Sequence, residues 1–346
     1  HNHTVAATFP AEGPFQGGFC GWGLYSKEIA ENLRYMREEL FPPMVEALHK
    51  LGGIPIKPIL AESMQMGDEN HTRQTACDYI YDRLMLPALF ELDRPKKEIM
   101  KTVRYIVDTP RFFHCYGQAA ARAALVAADG TEYSTMVTAV CGNGVEFGIK
   151  IASLPGQWFT APAPMMKGRY TSSEFTEKDQ LPWMGDSCVV ECYGMGGFAA
   201  AASPIVCNLR GMTLKESIGQ TKEMYRITME KNYNFPIPNL DFDFLPVGID
   251  IRKVLKEGVC PAIHGGMFNR VGGLIGAGMA RVPMQCFEKA REEVNNVYGN
   301  DDFKLLFKKN KVQYTRNYVN LENLLPLIVE PNEECPLYGK TLSLIH

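Results

Sequence analysis

From Ser26 the apolar residues Ile29, Leu33, Met36 and Leu40 recur three to four positions apart, and after Pro42-Pro43 the rhythm resumes through Val45, Leu48 and Leu51 to Gly52-Gly53. One apolar position per helical turn predicts a kinked or paired helix closed by glycine. Residues 54–60 read as a short extended piece leading into a dense polar cluster. Three further helical stretches, about 72–92, 97–108 and 111–128, are separated by Pro95 and Pro110, which break helices by removing an N–H donor and fixing φ. Together they predict a small helical subdomain.

The texture changes at Thr131. Residues 133–140, 145–154 and 157–161 are rich in β-formers, and Val145, Phe147, Ile149 and Ile151 alternate with a period of two, as strands do. Residues 187–193 read as another strand, running into Gly194-Met195-Gly196-Gly197 and an alanine-rich segment up to Cys207. Thr213-Leu214-Lys215-Glu216 has the form of a capping box and predicts a helix reaching about Met229. Residues 259–263 and 274–282 are expected as strands, 284–297 as a helix, and 301–311 and 318–328 as amphipathic helices. The sum is an α+β protein, a large mixed α/β domain with a small helical subdomain.

Composition narrows the function. The 346 residues carry 36 basic and 39 acidic side chains, for a formal charge of -3, with no Lys/Arg-rich block, so nothing supports a nucleic-acid grip. Apolar runs are short of the roughly 20 residues of a membrane-crossing helix. The opening His1-Asn2-His3-Thr4-Val5 has neither part of a secretion signal. Ten cysteines are spread along the chain without a C-x-x-C pair, which predicts reduced, mostly buried thiols in a cytoplasmic protein and no metal or other cofactor.

Four polar constellations are candidates for chemistry. Asp68-Glu69-Asn70-His71-Thr72-Arg73 gathers carboxylates, an imidazole and a guanidinium at a helix start; Asp68 and Asn70 read as caps, or Arg73 as a two-point clamp for an anion with His71 moving protons. A metal there needs His1 or His3 brought close. Gly194, Gly196 and Gly197 ahead of a helix-like segment fit either an anion-binding loop or close packing. Gly185-Asp186-Ser187 and Glu191 stand just upstream, Asp186 as a turn cap or an orienting carboxylate, and no G-x-S-x-G elbow supports a serine hydrolase. Gly142-Asn143-Gly144-Val145-Glu146 is a hairpin turn, or else Asn143 presents its amide to a polar substrate beside Glu146. His264, in a glycine-rich run, reads first as a structural residue.

These stretches, in order, resemble the YlbE-like (AllG-like) family, encoded beside FdrA-type proteins. The resemblance rests on His1-Asn2-His3-Thr4-Val5, on Gln65-Met66-Gly67-Asp68-Glu69 with His71 and Arg73, on Asn143-Gly144 with Phe147-Gly148-Ile149, and on Trp158-Phe159-Thr160-Ala161-Pro162. It continues through Gly185-Asp186-Ser187, Gly194 to Ala199, Met224 to Thr228, Gly248-Ile249-Asp250 and Ile275 to Gly278. Glu146 departs from the family pattern, which has Asp there.

The resemblance implies a cytoplasmic, oligomeric subunit of an oxamate carbamoyltransferase-type assembly in anaerobic allantoin and purine degradation, converting oxalurate and phosphate to oxamate and carbamoyl phosphate. It implies an FdrA-like protein and other subunits as partners. It also implies a Rossmann-like part ahead of a helical and an α+β domain. The expected layout is therefore a Rossmann-like remnant at 1–25, a helical region at 26–130, an α+β domain at 131–298 and a C-terminal extension at 299–346. The expected site takes His71, Glu69, Asp186 and Asn143 as catalytic residues. Substrate and anion contacts are expected from Arg73, Asp68, Thr160, Ser187, Gly194, Gly196, Gly197, His1 and His3. The alternatives are a non-catalytic scaffold for an FdrA-like partner and an acyl-phosphate or acyl-CoA ligase component.

Overall fold

The computed structural model describes residues 24–299. The expected Rossmann-like remnant, His1 and His3, and the helices expected at 301–311 and 318–328 lie outside or almost entirely outside the described residues. Helix α1 (Lys27–Tyr35) is capped by Ser26, whose hydroxyl accepts from Ile29 N–H, and continues through a π-helical turn (Met36–Leu40) into α2 (Phe41–Leu51), which ends at Gly52 with φ 68°. Next come α3 (Ile56–Gln65), α4 (Thr75–Phe90), α5 (Lys96–Asp108) and α6 (His114–Val126). Their apolar faces meet around Leu40, Met64, Tyr81, Met85 and Phe113, all buried. The extended piece expected at 54–60 is instead mostly α3: Pro58 falls in the first turn, where no intrahelical donor is lost, so the prolines open this helix rather than prevent it.

The rest of the described chain holds β1 (Val137–Asn143), β2 (Glu146–Ile151), β3 (Phe159–Pro162), β4 (Lys167–Tyr170), β5 (Met184–Gly185), α7 (Val189–Cys192), a 3-10 segment (Gly196–Ala202), α8 (Pro204–Leu209) and α9 (Leu214–Met224). It closes with β6 (Thr228–Ile237), β7 (Asp243–Ile249), α10 (Ile251–Glu257), β8 (Ala262–Phe268), β9 (Leu274–Arg281) and α11 (Met284–Tyr298). The strands form three small antiparallel sheets, ordered β3-β2-β1-β5, β4-β9-β8 and β6-β7. The fold is mixed α+β, as its hydrophobic periods predict.

Two local expectations change. The strand expected at 187–193 is the single helical turn α7, buried on every side, where Val189 and Val190 follow tertiary packing rather than β-propensity. The capping box at Thr213 and Glu216 forms, but α9 stops at Met224 and the chain enters the unforeseen hairpin β6-β7 at Thr228. Strand β6 packs on α3, while α7 and the start of the 3-10 segment reach the loop between α3 and α4, and this packing sets up the site.

Candidate functional site

The loop from α3 to α4 buries Asp68, Glu69, Asn70 and His71 in succession. Such a run is affordable only if every polar group finds a partner. Asp68 accepts from Ala76 N–H (2.8 Å) and Cys77 N–H (2.9 Å) and pairs with Arg73 Nη1 (2.6 Å), so it caps α4 across the loop. Burial nevertheless raises its carboxyl to about 6, against the pull of those partners. Asn70, left-handed at φ 63°, accepts from Ser63 Oγ (3.0 Å) and donates to Leu60 O (3.0 Å). These bonds fix the loop's shape and leave His71 pointing at α7.

His71 Nδ1 lies 2.8 Å from Glu191 Oε1, and its Nε2 lies 2.9 Å from Ser187 Oγ. The three side chains form a hydroxyl, imidazole and carboxylate in series. With the proton on Nδ1 donated to Glu191, Nε2 is left to accept from the Ser187 hydroxyl. Glu191 Oε1 also accepts from Gly197 N–H (3.1 Å) and His264 N–H (2.9 Å). Burial pushes the Glu191 carboxyl up, while His71 and these amides oppose it. The relay's outer end is Ser187, half-buried beside the exposed Asp186.

Glu69, His264 and Arg210 lie beneath these three side chains, buried. Glu69 accepts from His71 N–H (2.5 Å) and Thr72 N–H (2.8 Å), with Arg210 Nη2 at 3.8 Å and His264 Nδ1 at 3.6 Å. Burial disfavours its anion, yet His264, Arg210 and His71 hold the carboxyl well below the usual range. His264 is driven down to about 3 by burial and by Arg210, so it stays neutral. Arg210 is fully enclosed, donating to Gly278 O (2.8 Å) and to Thr72 Oγ1. The His71 ring stacks on His114 (6.0 Å between centroids, 11° between planes), which Gln74 and Gln118 hold by hydrogen bonds. Trp183 meets the His71 ring edge-on at 6.5 Å.

The glycine loop is built differently from an open anion site. Gly196 N–H donates to Glu69 O (2.7 Å), Gly194 N–H to Glu191 O (2.9 Å) and Gly197 N–H to the Glu191 carboxylate. A Cβ at Gly196 (φ +58°) would come 2.1 Å from Glu191 Oε1, and one at Gly197 would come 2.2 Å from Ala262 O. The expectation that Gly194, Gly196 and Gly197 present amides to a substrate is thus corrected: the protein's own acceptors take these amides, two of them backbone carbonyls and the third, from Gly197, the Glu191 carboxylate.

Of the other expected residues, Arg73 is 28% exposed at the loop's edge with Nη1 tied to Asp68. Asn143 lies on the exposed hairpin turn, its Oδ1 taken by Val145 N–H (2.9 Å) and Glu146 N–H (2.7 Å). Thr160 Oγ1 donates to Glu146 (3.1 Å), also on the surface. The β1-β5 pairing sets Asn143 beside Met184, next to the turn that carries Ser187. His71, Glu69, Ser187 and Asp68 are therefore brought together, Arg73 and Asp186 border them, and Asn143 and Thr160 belong to the neighbouring sheet edge. The sequence places Glu191 only as a carboxylate near the glycine loop and His264 as a structural residue, without the contacts that join them to His71 and Glu69, and it gives no sign of Arg210. A separate groove of about 660 Å³ between α9 and β9, lined by Arg226, Arg281 and Glu223 among others, meets the buried cluster at Gln220, whose Nε2 is 3.1 Å from His264 Nε2.

Comparison with known proteins gives a consistent picture. The family model of the oxamate carbamoyltransferase subunit AllG matches residues 6–187. The chain is 33% identical over 287 residues to oxamate carbamoyltransferase subunit AllG of Escherichia coli K12, covering 82% of this chain and 68% of that protein. It is 35% identical over 270 residues to the uncharacterized protein YahG of the same strain, spanning 78% of this chain but 57% of YahG. A crystal structure of a conserved protein of unknown function from Enterococcus faecalis V583 superposes with a TM-score of 0.77 at 34% identity, over 80% of this chain and 66% of that one.

Proposed function

The chain belongs to the family of the oxamate carbamoyltransferase subunit AllG, and from that premise we propose that it is a carbamoyl-transfer subunit acting on oxalurate and phosphate to yield oxamate and carbamoyl phosphate. The observation that carries this reading is the His71 imidazole, fixed by Glu191 on one nitrogen and facing the Ser187 hydroxyl with the other. Moving a carbamoyl group between an amide nitrogen and an oxygen requires a proton to leave the attacking atom and reach the departing nitrogen, and a buried, oriented imidazole suits that task.

Arg73, at the mouth of the loop, supplies N–H groups for the oxalurate carboxylate beyond the one held by Asp68. Glu69 acts beneath the site as an anchor for the His71 and Thr72 backbone rather than as the base. Asp186, exposed next to Ser187, orients the approaching carbamoyl amine. Asn143 and Thr160, on the hairpin edge, serve the outer wall. The word subunit in the relative's name supports partners, and we assign to them an FdrA-like protein and further chains of the same assembly.

The test is an assembly reconstituted with and without this chain. Phosphate-dependent conversion of oxalurate that requires the chain supports the reading, and its absence overturns it. Turnover that survives both Arg73→Ala and His71→Gln would instead make the chain a non-catalytic scaffold.

A further inference from the structure

We propose that Ser187 is a nucleophile that carries the carbamoyl group covalently, so that transfer proceeds through a carbamoyl-serine on this chain. The inference deepens the carbamoyl-transfer reading and takes its substrate class, carbamoylated nitrogen and oxygen acids, from it.

Four features of the site converge on Ser187. Its Oγ is 2.9 Å from His71 Nε2, within reach for direct proton transfer, and the carboxylate on the far nitrogen, 2.8 Å away, stabilises the imidazolium that forms. That carboxylate cannot swing away, since Gly197 N–H and His264 N–H hold the same oxygen. Ser187 lies in the short connection between β5, which ends at Gly185 with φ +133°, and α7, so it sits at the edge of the buried cluster rather than within an element. Finally, the side chain is half-buried where His71 and Glu191 are closed off, so the relay has a single solvent-facing end, and it is a hydroxyl.

The step balances without an added reagent. Ser187 Oγ attacks the carbamoyl carbon while its proton passes to His71 Nε2; the bond from that carbon to the oxamate nitrogen breaks, and the nitrogen takes the proton back from His71. Phosphate then attacks the carbamoyl-serine, giving its proton to His71, and the Oγ–C bond breaks as Oγ is reprotonated. Oxamate leaves before phosphate reacts, so the kinetics are ping-pong.

Full-length chain is mixed with 4-nitrophenyl carbamate, with nitrophenolate release followed in time and the modified peptide located by mass spectrometry. A burst of about one nitrophenolate per chain is expected, with the added carbamoyl group on Ser187. Ser187→Ala abolishes the burst, Ser187→Cys restores one, and His71→Gln slows it roughly 100-fold or more. Labelling confined to lysines or the N-terminus, or a burst unchanged in Ser187→Ala, overturns the inference. Carbamoyl-serine formed by a chain whose assembly does not consume oxalurate supports the covalent step while removing the oxalurate reading. Oxalurate turnover that persists at the parent rate in Ser187→Ala does the reverse.

Discussion

Glu191 Oε1 receives three donors, His71 Nδ1 at 2.8 Å, His264 N–H at 2.9 Å and Gly197 N–H at 3.1 Å, from three segments of the chain. One carboxylate oxygen thereby ties the α3-α4 loop, strand β8 and the glycine loop together. Replacing Glu191 by Gln keeps an acceptor oxygen but removes the charge behind the imidazole. The variant should fold, and its turnover should fall by about 10²- to 10⁴-fold. Glu191→Ala leaves three buried donors unpaired at about 1–3 kcal/mol each, a large share of an ordinary stability of roughly 5–15 kcal/mol. Circular dichroism during urea unfolding separates the two variants.

The glycine loop makes a sharper structural prediction. Gly196→Ala puts a methyl group where Glu191 Oε1 and the His71 Cβ already stand, at 2.1 and 3.1 Å, on a backbone with φ +58°. Gly197→Ala collides with Ala262 O at 2.2 Å, a backbone atom that cannot rotate aside. Each should cost at least about 3 kcal/mol or prevent folding. Gly156→Ala, at a position where nothing lies within 4 Å of the added carbon, is the control and should unfold with the parent.

Stability should vary with pH in two separate windows. Asp78, which accepts from Arg111 N–H (2.7 Å) and Phe113 N–H (2.9 Å), is raised by burial to about 7. The folded state holds this proton more tightly than the unfolded chain, so the contribution is complete below the unfolded value near 4 and is lost as pH rises through 7. The effect is on the order of 3 kcal/mol, with Asp68 and Asp82, raised to about 6, adding in the same direction. Glu69 is shifted down and acts oppositely: its contribution is present above about 4.5 and is lost on acidification below that. Urea midpoints from pH 3 to 8 in the parent and in Asp78→Asn check this. The variant should lose less stability between pH 5 and pH 8, and superposed curves would remove Asp78 as a source.

Asn143 offers a contrast between two roles. Its Oδ1 closes the hairpin turn through Val145 and Glu146 N–H. Asn143→Ala should lower stability by about 1 kcal/mol, the worth of a turn hydrogen bond. If Asn143 also shapes the outer wall for substrate, KM for oxalurate rises in this variant while kcat holds. A loss of kcat comparable to that of His71→Gln would place Asn143 among the reacting groups instead.

The helices between Lys27 and Val126 other than α3, and the strands β1 to β3, are legible because their apolar residues follow one period over a sufficient length; α3, short and opened by prolines, reads as extended. The relay is not legible, and α7 shows why. Read as a strand, Ser187 and Glu191 stand four residues and about 13 Å apart. With Ser187 in the turn that leads into α7, the chain winds at close to the helical rise, which would bring residues four apart to about 6 Å on one face, where a single histidine from another segment reaches both. The β-branched pair Val189-Val190 suggests the strand, and only the packing of α7 against β1 and α6 overrules it. Likewise, glycines of an anion loop and glycines that make room for a buried carboxylate have the same sequence. Their difference lies in Glu191, five positions before Gly196 and visible only once the chain folds back. Hairpin β6-β7 escaped notice because Pro236, a bulge near Asn232 and polar residues at half-buried positions blur its alternation.

The most direct measurement is the rate of carbamoyl phosphate formation from oxalurate and phosphate by the reconstituted assembly, comparing the parent chain with His71→Gln across pH. The account predicts that the parent forms oxamate and carbamoyl phosphate in equal amounts. His71→Gln should lose at least about 100-fold in kcat/KM, with its unfolding midpoint close to the parent's. An assembly that leaves oxalurate intact, or one in which His71→Gln matches the parent at every pH, contradicts it.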